Sequence, residues 1–514
     1  MSHKKKSIQG ISIQSLASCA LVLGALSVSA DPGLAAATVR GQTSGIDFSR
    51  KYDARATGAP YLLAANSGTG KAETRDSLFD DEEDDAPTKA DATPKTGSET
   101  GAEKKPESKT FSSASGVKGY LQFEMARAVD SPVHWSKMLT RADLSSRGNL
   151  GDGIKWKLGA RMDYDAVFSV TDYYPGAVAS DQRSNLTLRE TYLDVGRGDW
   201  EFRLGKQNVV WGEMVGLFFA DVVSAKDLHE FILPEFDFLR IPQWAARAEY
   251  FKDDFHAELL WIPVASYDLI GKPGAEFFPN QIPSPSGSVV YRNEDLPARN
   301  LGNSNYGLRL STLKNGWDMS GFAYSSMDVA ATFYRDDVSQ PGTYIYQARH
   351  DRIEQYGGTL AKDFDSFVLK AETVYTHGRQ FTVTRASDAN GVVPQNTLDW
   401  ALGLDFNLPA DTRFNAQVFQ RTYYEHDPDM IPDRQENGYS LLLNHKLNDK
   451  LEAQVMWISS LNRTDWLLRP RVMWNFERNW RLVVGADIFN GPPLGLFGQY
   501  AGKDRVYSEV RYNF

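Results

Sequence analysis

Arginine is the residue through which this sequence could do chemistry. Arg161, Arg203, Arg247, Arg309, Arg413, Arg469, Arg471, Arg481 and Arg511 each stand on the polar side of a segment that alternates polar with apolar residues. Glu190, Glu249, Glu372, Asp487 and Glu509 recur on the same side of such segments. Facing rows of guanidinium and carboxylate groups set a transverse field that orders water and orients a polar solute, which would favour anionic or carboxylated compounds. The same groups also brace a wall through salt bridges, and bracing is the expectation for any one arginine taken singly.

Signals for catalysis are poor. No serine sits in a nucleophile elbow, no histidine pair shares a helix face, and the eight histidines are scattered. In "EHDPD", Glu425, Asp427 and Asp429 alternate at a spacing that could hold calcium, although an acidic loop facing water is the plainer reading. The single cysteine, Cys19, falls in the N-terminal leader, so no disulfide or thiolate site is expected beyond it. No catalytic residue, metal or cofactor is assigned, and the chain is not expected to be an enzyme. A barrel-embedded hydrolase is kept as an alternative, to be recognised by ester hydrolysis that depends on one lumen serine.

The elements that must position these arginines are strands. The chain ends in "DRVYSEVRYNF", where Val506, Ser508, Val510, Tyr512 and Phe514 share one face and Arg505, Tyr507, Glu509, Arg511 and Asn513 the other. "IKWKLGARMDY", "LDWALGLDFNL" and "NWRLVVGADIF" repeat the pattern, and about 18 segments of roughly ten residues follow it, the length of a tilted strand crossing a bilayer. Minimal turns such as Gly196–Asp199, Lys252–Asp254, Lys314–Gly316 and Asp363–Asp365 alternate with long connections at 168–185, 208–242, 265–302, 327–349 and 378–395. That rhythm predicts an all-β fold: a transmembrane antiparallel up-and-down β-barrel of 18 strands over 116–514, with 16 strands as the fallback. An open sheet edge is not tolerated in hydrocarbon, so the last strand must pair with the first. The apolar face then meets outer-membrane lipid and lipopolysaccharide, both termini are periplasmic, and Val510, Tyr512 and Phe514 form a terminal signal for the barrel assembly machinery. The "RGD" at 197–199 falls in a periplasmic turn, out of reach of a host receptor.

Residues 1–30 read as a signal peptide, with Lys4, Lys5 and Lys6 before an apolar stretch and small residues Val28 and Ala30 before the cut. Net charge is −10, and removing three lysines and no acid with that segment leaves −10 − 3 = −13, which argues against a nucleic-acid partner. Residues 31–115 are too poor in apolar groups to fold and are expected to be a disordered periplasmic tail. Within it, Leu78 and Phe79 precede a run of acids from Asp80 to Asp85. This is a solvated charge run or a short docking peptide for a periplasmic partner.

The stretch "LRETYLDVGRGDWEFRLGKQNVVWGE" (188–213), followed by "DVVSAKDL" (221–228), resembles an uncharacterised group of proteobacterial outer-membrane barrels, the domain-of-unknown-function family thirteen hundred and two, and is a looser match to alginate-export porins. The resemblance implies an outer-membrane component of an export or uptake route for hydrophobic molecules, often beside an inner-membrane pump. The N-terminal tail is expected to lie outside the family pattern. In the hairpin itself, Arg203 and Gln207 take the lumen side, and Lys206 interrupts the lipid face where the strand bulges or leaves the membrane. Beyond it, the segment from Trp211 and Glu213 to Pro242 is too apolar for a loop in water. It predicts a loop with a short helix, folded into the barrel as a plug or constriction, or packed as a cap on other loops. The expected function is a channel for a small or amphiphilic solute, narrowed by 208–242 and working by passive diffusion or as the outer stage of a pump-driven route. A plugged, non-conducting barrel acting in envelope assembly through its tail is the first rival.

Overall fold

The computed structural model describes residues 116–514, except 152, 213, 215–218, 280–287, 337–342 and 386. The leader 1–30, the tail with Leu78, Phe79 and Asp80, and Glu213 therefore lie outside the described residues.

Each alternating segment becomes a strand antiparallel to its predecessor. The first nine are β1 Lys118–Ala128, β2 Trp135–Gly151, β3 Ile154–Asp165, β4 Ser184–Arg197, β5 Trp200–Gln207, β6 Gln243–Lys252, β7 Phe255–Val264, β8 Asn305–Lys314 and β9 Trp317–Met327. The second nine are β10 Arg352–Asp363, β11 Phe367–Thr382, β12 Val392–Leu408, β13 Thr412–Tyr423, β14 Gln435–Asn448, β15 Leu451–Ser460, β16 Trp466–Glu477, β17 Trp480–Asn490 and β18 Arg505–Asn513. They form one 18-stranded sheet. It closes where β1 meets β18, from Tyr120 opposite Asn513 to Ala128 opposite Arg505. Gly119 and Phe514 exchange both backbone hydrogen bonds, at 2.9 and 3.0 Å, so the last residue seals the seam.

Every connection after an even-numbered strand is two or three residues long, and every other one has five or more. The turn chemistry explains the tight ones. Asn315 and Gly316 both have positive φ, 54° and 73°, as a two-residue turn matching strand twist requires. One long connection is shorter than its sequence predicts. Instead of a loop over 378–395, β11 and β12 pair outward to Thr382 and Val392, absorbing Gly378 (φ 82°) in an irregularity between Thr376 and Arg379.

The two faces sort by polarity. Leu121, Phe123, Leu158, Met162, Leu186, Leu204 and Leu259 are exposed outward, while Gln122, Arg161, Arg247, Glu258, Glu372 and Asp487 are buried inward. This inverts a water-soluble sheet and is the order of a wall with lipid outside and a polar interior. At the short-turn end, Phe364, Phe367, Phe406 and Phe414 follow one another at ring separations of 5.1, 5.8 and 6.2 Å. Phe476, Trp480, Tyr512 and Phe514 continue the belt at 6.1, 4.8 and 6.0 Å, the aromatic girdle expected at a membrane boundary. At the other end the long connections hold one another: Glu276 accepts from Tyr174 (2.8 Å) and pairs with His134 (2.9 Å) and Lys503 (3.2 Å).

Candidate functional site

The described residues of the segment 208–242, between β5 and β6, pack on inward-facing side chains of the ring. Its first arm is held by apolar packing. Val209, Trp211, Ala220, Val222 and Val223 cover inward-facing Ala245, Leu260, Ile262, Phe322, Tyr324 and Val374. Each large side chain so buried contributes about 1.5–3 kcal/mol. The Trp211 ring fits because Gly307 faces it; a Cβ there would come within 2.6 Å of the indole. Trp211 Nε1 donates to Glu258 at 3.3 Å, and Gln207, fully buried, donates to the Ala245 carbonyl at 3.0 Å. Glu372 on β11 accepts from the backbone N–H groups of Met214 (2.9 Å) and Ala220 (3.1 Å), tying both residues to the wall.

A neck follows. Ala225–Lys226 pairs with Arg240–Ile241, and Arg240 meets Asp221 at 2.9 Å. Residues 227–239 thus form an excursion closed at its base, with a helix at Phe236–Leu239. This excursion meets strands on both sides of the β1–β18 seam. Glu230 bonds Lys137 of β2 at 2.5 Å and Arg505 of β18 at 3.0 Å. The Leu233 carbonyl accepts from Arg469 of β16 at 2.5 Å. Glu235 lies 3.5 Å from Arg481, 3.6 Å from Arg471 and 3.9 Å from Arg511. The Phe238 ring has the guanidiniums of Arg141, Arg161 and Arg511 at 5.1, 5.0 and 4.9 Å, a cation–π cluster. Phe231 packs against Phe489, Phe497 and Tyr500 in a second apolar cluster with Leu233 and Phe277.

The excursion is electrostatically latched. Burial pushes the Glu235 carboxyl up, but Arg481, Arg471, Arg511 and Arg469 outweigh it and hold it at about 2. Burial is likewise overcome at Glu230, which Lys137 and Arg505 hold at about 2. Burial works against a charged His229, yet its hydrogen bonds to Asp181 and Asp227 raise it to about 10.

The predicted lumen residues fall into three groups. Arg161, Arg469, Arg471, Arg481 and Arg511 converge on the excursion. They are also braced: Arg161 by Asp143 (2.9 Å), Arg469 by Asp487 (2.8 Å), Arg471 by Gln454 (2.7 Å), Arg481 by Glu509 (3.0 Å) and Arg511 by Gln122 (2.9 Å). Glu190, Arg203, Gln207, Trp211, Arg247 and Arg309 gather near the first arm. There Lys157 holds Glu190 (2.7 Å), Asp194 holds Arg203 (2.6 Å) and Glu249 holds Arg247 (2.8 Å). Arg413 stands apart, 3.7 Å from Asp405. Val510, Tyr512 and Phe514 lie in or beside the sealing seam.

Sequence reasoning did not single out Glu230, Glu235 and Phe238. Their signal is acids embedded in an otherwise apolar run, "HEFILPEFDFL". It also left the histidines scattered, whereas His256 Nδ1 meets Ser311 Oγ at 3.0 Å and Nε2 meets Glu249 at 3.1 Å. Such a relay can polarise a hydroxyl. Ser311, however, is mid-strand, with its backbone paired to both neighbours, so the ladder offers no free N–H pair for an oxyanion. Glu249, His256 and Glu258 also bring ligand atoms within 4.8 Å of one another. Their carboxylates already face Arg247 and Trp211, and Arg309 stands opposite Glu258, an arrangement unfavourable to a cation. In the "EHDPD" loop, Asp427 and Asp429 both pair with Arg385, at 2.7 and 3.1 Å, while the Asp429 side chain stays 45% exposed to water.

No curated protein matches the chain. Among solved structures it is similar to Acinetobacter baumannii OccAB4, with 10% identity and a TM-score of 0.46 over 79% of this chain and 99% of that one. It is also similar to Pseudomonas aeruginosa OccD3 (10%, 0.44, 78% and 91%) and to Salmonella typhi OmpF in complex with daunomycin (9%, 0.41, 78% and 97%). The profile of the family described as "Protein of unknown function (DUF1302)" matches residues 20–514. That span takes in the N-terminal tail, against the expectation that the tail lies outside the pattern, and over this length the chain belongs to that family.

Proposed function

We propose that the chain is an outer-membrane channel for a small or amphiphilic solute, narrowed by the 208–242 segment. It works by passive diffusion or as the outer stage of a pump-driven route. The observation that carries this reading is the excursion 227–239, which leaves a neck beside β6 and bonds to Lys137 on β2, Arg505 on β18 and Arg469 on β16, the last of these strands nearly half-way round the ring. A solute has to pass between that excursion and a wall of fixed charges, where width and field both select. In this reading the short turns and both termini are periplasmic, the tail meets a periplasmic partner through Leu78, Phe79 and Asp80, and the C-terminal aromatic residues engage the assembly machinery.

The test is single-channel conductance of the purified protein in a planar bilayer, with and without the excursion. Because Lys226 and Arg240 are paired across the neck, 227–239 can be replaced by Asn-Gly without straining it. Steady openings that widen in the shortened form are expected. The two apolar clusters inside the ring favour a second reading, a plugged barrel acting in envelope assembly. Silence in both forms would establish that reading and end the first.

A further inference from the structure

Three guanidiniums, Arg471, Arg481 and Arg511, surround the Glu235 carboxylate, yet none closes to a tight ion pair; the separations are 3.6, 3.5 and 3.9 Å. Elsewhere in the same barrel arginine–carboxylate pairs reach 2.6–2.9 Å. Arg481 and Arg511 also share one further acid, Glu509, at 3.0 Å each. Arg481 and Arg511 each keep a buried Nε–H with no hydrogen-bond partner among the described residues. A buried charged donor left unmade is costly, so these groups are placed for a better acceptor than the one they have. One helical turn along, Phe238 lays an aromatic ring beside the guanidiniums of Arg511, Arg141 and Arg161. The excursion therefore presents a carboxylate and, one turn away, an apolar ring, held by a neck whose contacts do not involve the arginine cluster.

We propose that Arg471, Arg481 and Arg511 form a binding site for the carboxylate of an amphiphilic organic acid, and that Glu235 with Phe238 fills it as an internal stand-in. Rotation of Glu235 out of the site leaves Arg481 and Arg511 sharing the single carboxylate of Glu509, an imbalance that a carboxylate with an aromatic or aliphatic body corrects. This inference rests on the channel reading, for which it names the solute class. Bidentate contact with guanidinium suits a carboxylate, and the Phe238 position offers its body an arginine-lined shelf.

The probes are sodium benzoate and its neutral counterpart benzamide, titrated calorimetrically into the purified full chain. Benzoate should bind and benzamide should bind at least tenfold more weakly. The Glu235→Gln variant keeps shape and removes the competing charge. If the stand-in occupies the site about nine-tenths of the time, its loss tightens benzoate about tenfold. Arg481→Lys keeps the charge without the fork and should weaken benzoate several-fold, a readout that does not depend on removing a buried charge. Equal binding of the two probes, or an unchanged or weaker benzoate affinity in Glu235→Gln, overturns the site. Benzoate uptake into proteoliposomes separates this from the channel reading. Binding without uptake supports the site and sinks the channel; uptake without preference for benzoate sinks the site and keeps the channel.

Discussion

Asp487 offers the sharpest test of how the wall and the infolded segment are joined. Its carboxylate is fully buried and holds two arginines at once, Arg469 Nε at 2.8 Å and Arg505 Nε at 2.8 Å. The same two arginines reach the segment, at the Leu233 carbonyl and Glu230. Asp487→Asn keeps the volume and removes the charge. Breaking a buried pair costs about 3–5 kcal/mol. The lower end applies because Arg505 retains Glu230, and about 3 kcal/mol is also what two charge-assisted hydrogen bonds at roughly 1.5 kcal/mol each amount to. With a urea slope of about 3 kcal/mol per molar, the unfolding midpoint should fall by about 1 M. The assay is urea unfolding in lipid vesicles, read by tryptophan fluorescence and by the electrophoretic shift between folded and unfolded chains. A double-mutant cycle adds the mechanism: Arg505→Gln should cost less in the Asp487→Asn background than alone, since the partner it orphans is already neutral. A midpoint shift below about 0.2 M, the range of a surface pair, or an additive cycle, would refute the reasoning and mean that water already solvates this trio.

Further outcomes follow from the same geometry. Glu230 and Glu235 are both lowered to about 2, so the latch they provide should be intact above about pH 4.5 and lost as pH falls from there through about 2. His229 is raised to about 10, so its contribution should be full below about pH 6.5 and lost as pH rises through about 10; the alkaline fall in unfolding midpoint should vanish in His229→Gln. A persistent slope in that variant would place the titration elsewhere. An epitope inserted between Asn315 and Gly316 should be hidden on intact cells and one in 265–302 should be exposed; the reverse pattern would invert the proposed orientation. Turnover of p-nitrophenyl butyrate should equal buffer, with Ser311→Ala unchanged; activity lost in that variant would make the Ser311–His256 contact catalytic. Deleting Phe514 removes the mutual backbone bonds with Gly119, and the fraction of heat-modifiable, membrane-assembled protein should drop; an unchanged yield would take the terminal residue out of assembly.

The ring was legible from the sequence because period two and turn length are local properties. In β18, Arg505 and Arg511 are buried on the face that alternation gives them, and Asn513 of the same face is exposed only where the strand ends. Alternation misleads where a strand slips. Between Leu158 and Ala160 the pairing with β4 shifts, so Leu158 faces Thr191 while Ala160 faces Leu188, and the parity of β4 changes at Arg189–Glu190. The rule of a polar inner face also fails in one sector. "LLWI" of β7 is apolar on both sides, Leu259 and Trp261 outward, Leu260 and Ile262 inward under the first arm of the segment. A continuous apolar run is the local signature of a strand covered on both faces. The arginine cluster was legible as a row of charges, but not its partners. Arg505 meets Glu230 from 275 residues away, and Arg481 meets Glu235 from 246. Such pairs exist only once the ring has closed around the segment.

The excursion has a mechanical consequence too. A closed hoop of strands resists stretching around its circumference, because every ladder bond opposes it, yet it flattens into an ellipse at little cost. The segment is rooted beside β6, packed along β7, β9 and β11, and pinned by Glu230, Leu233 and Glu235 to β18, β16 and β17, a third of the way round or more. It is a cross-tie, and it stiffens the outline of the hoop against ovalisation. In the proposed channel, aperture and rigidity would be set by the same short stretch of chain, and trimming it to widen the lumen would also free the barrel to change shape.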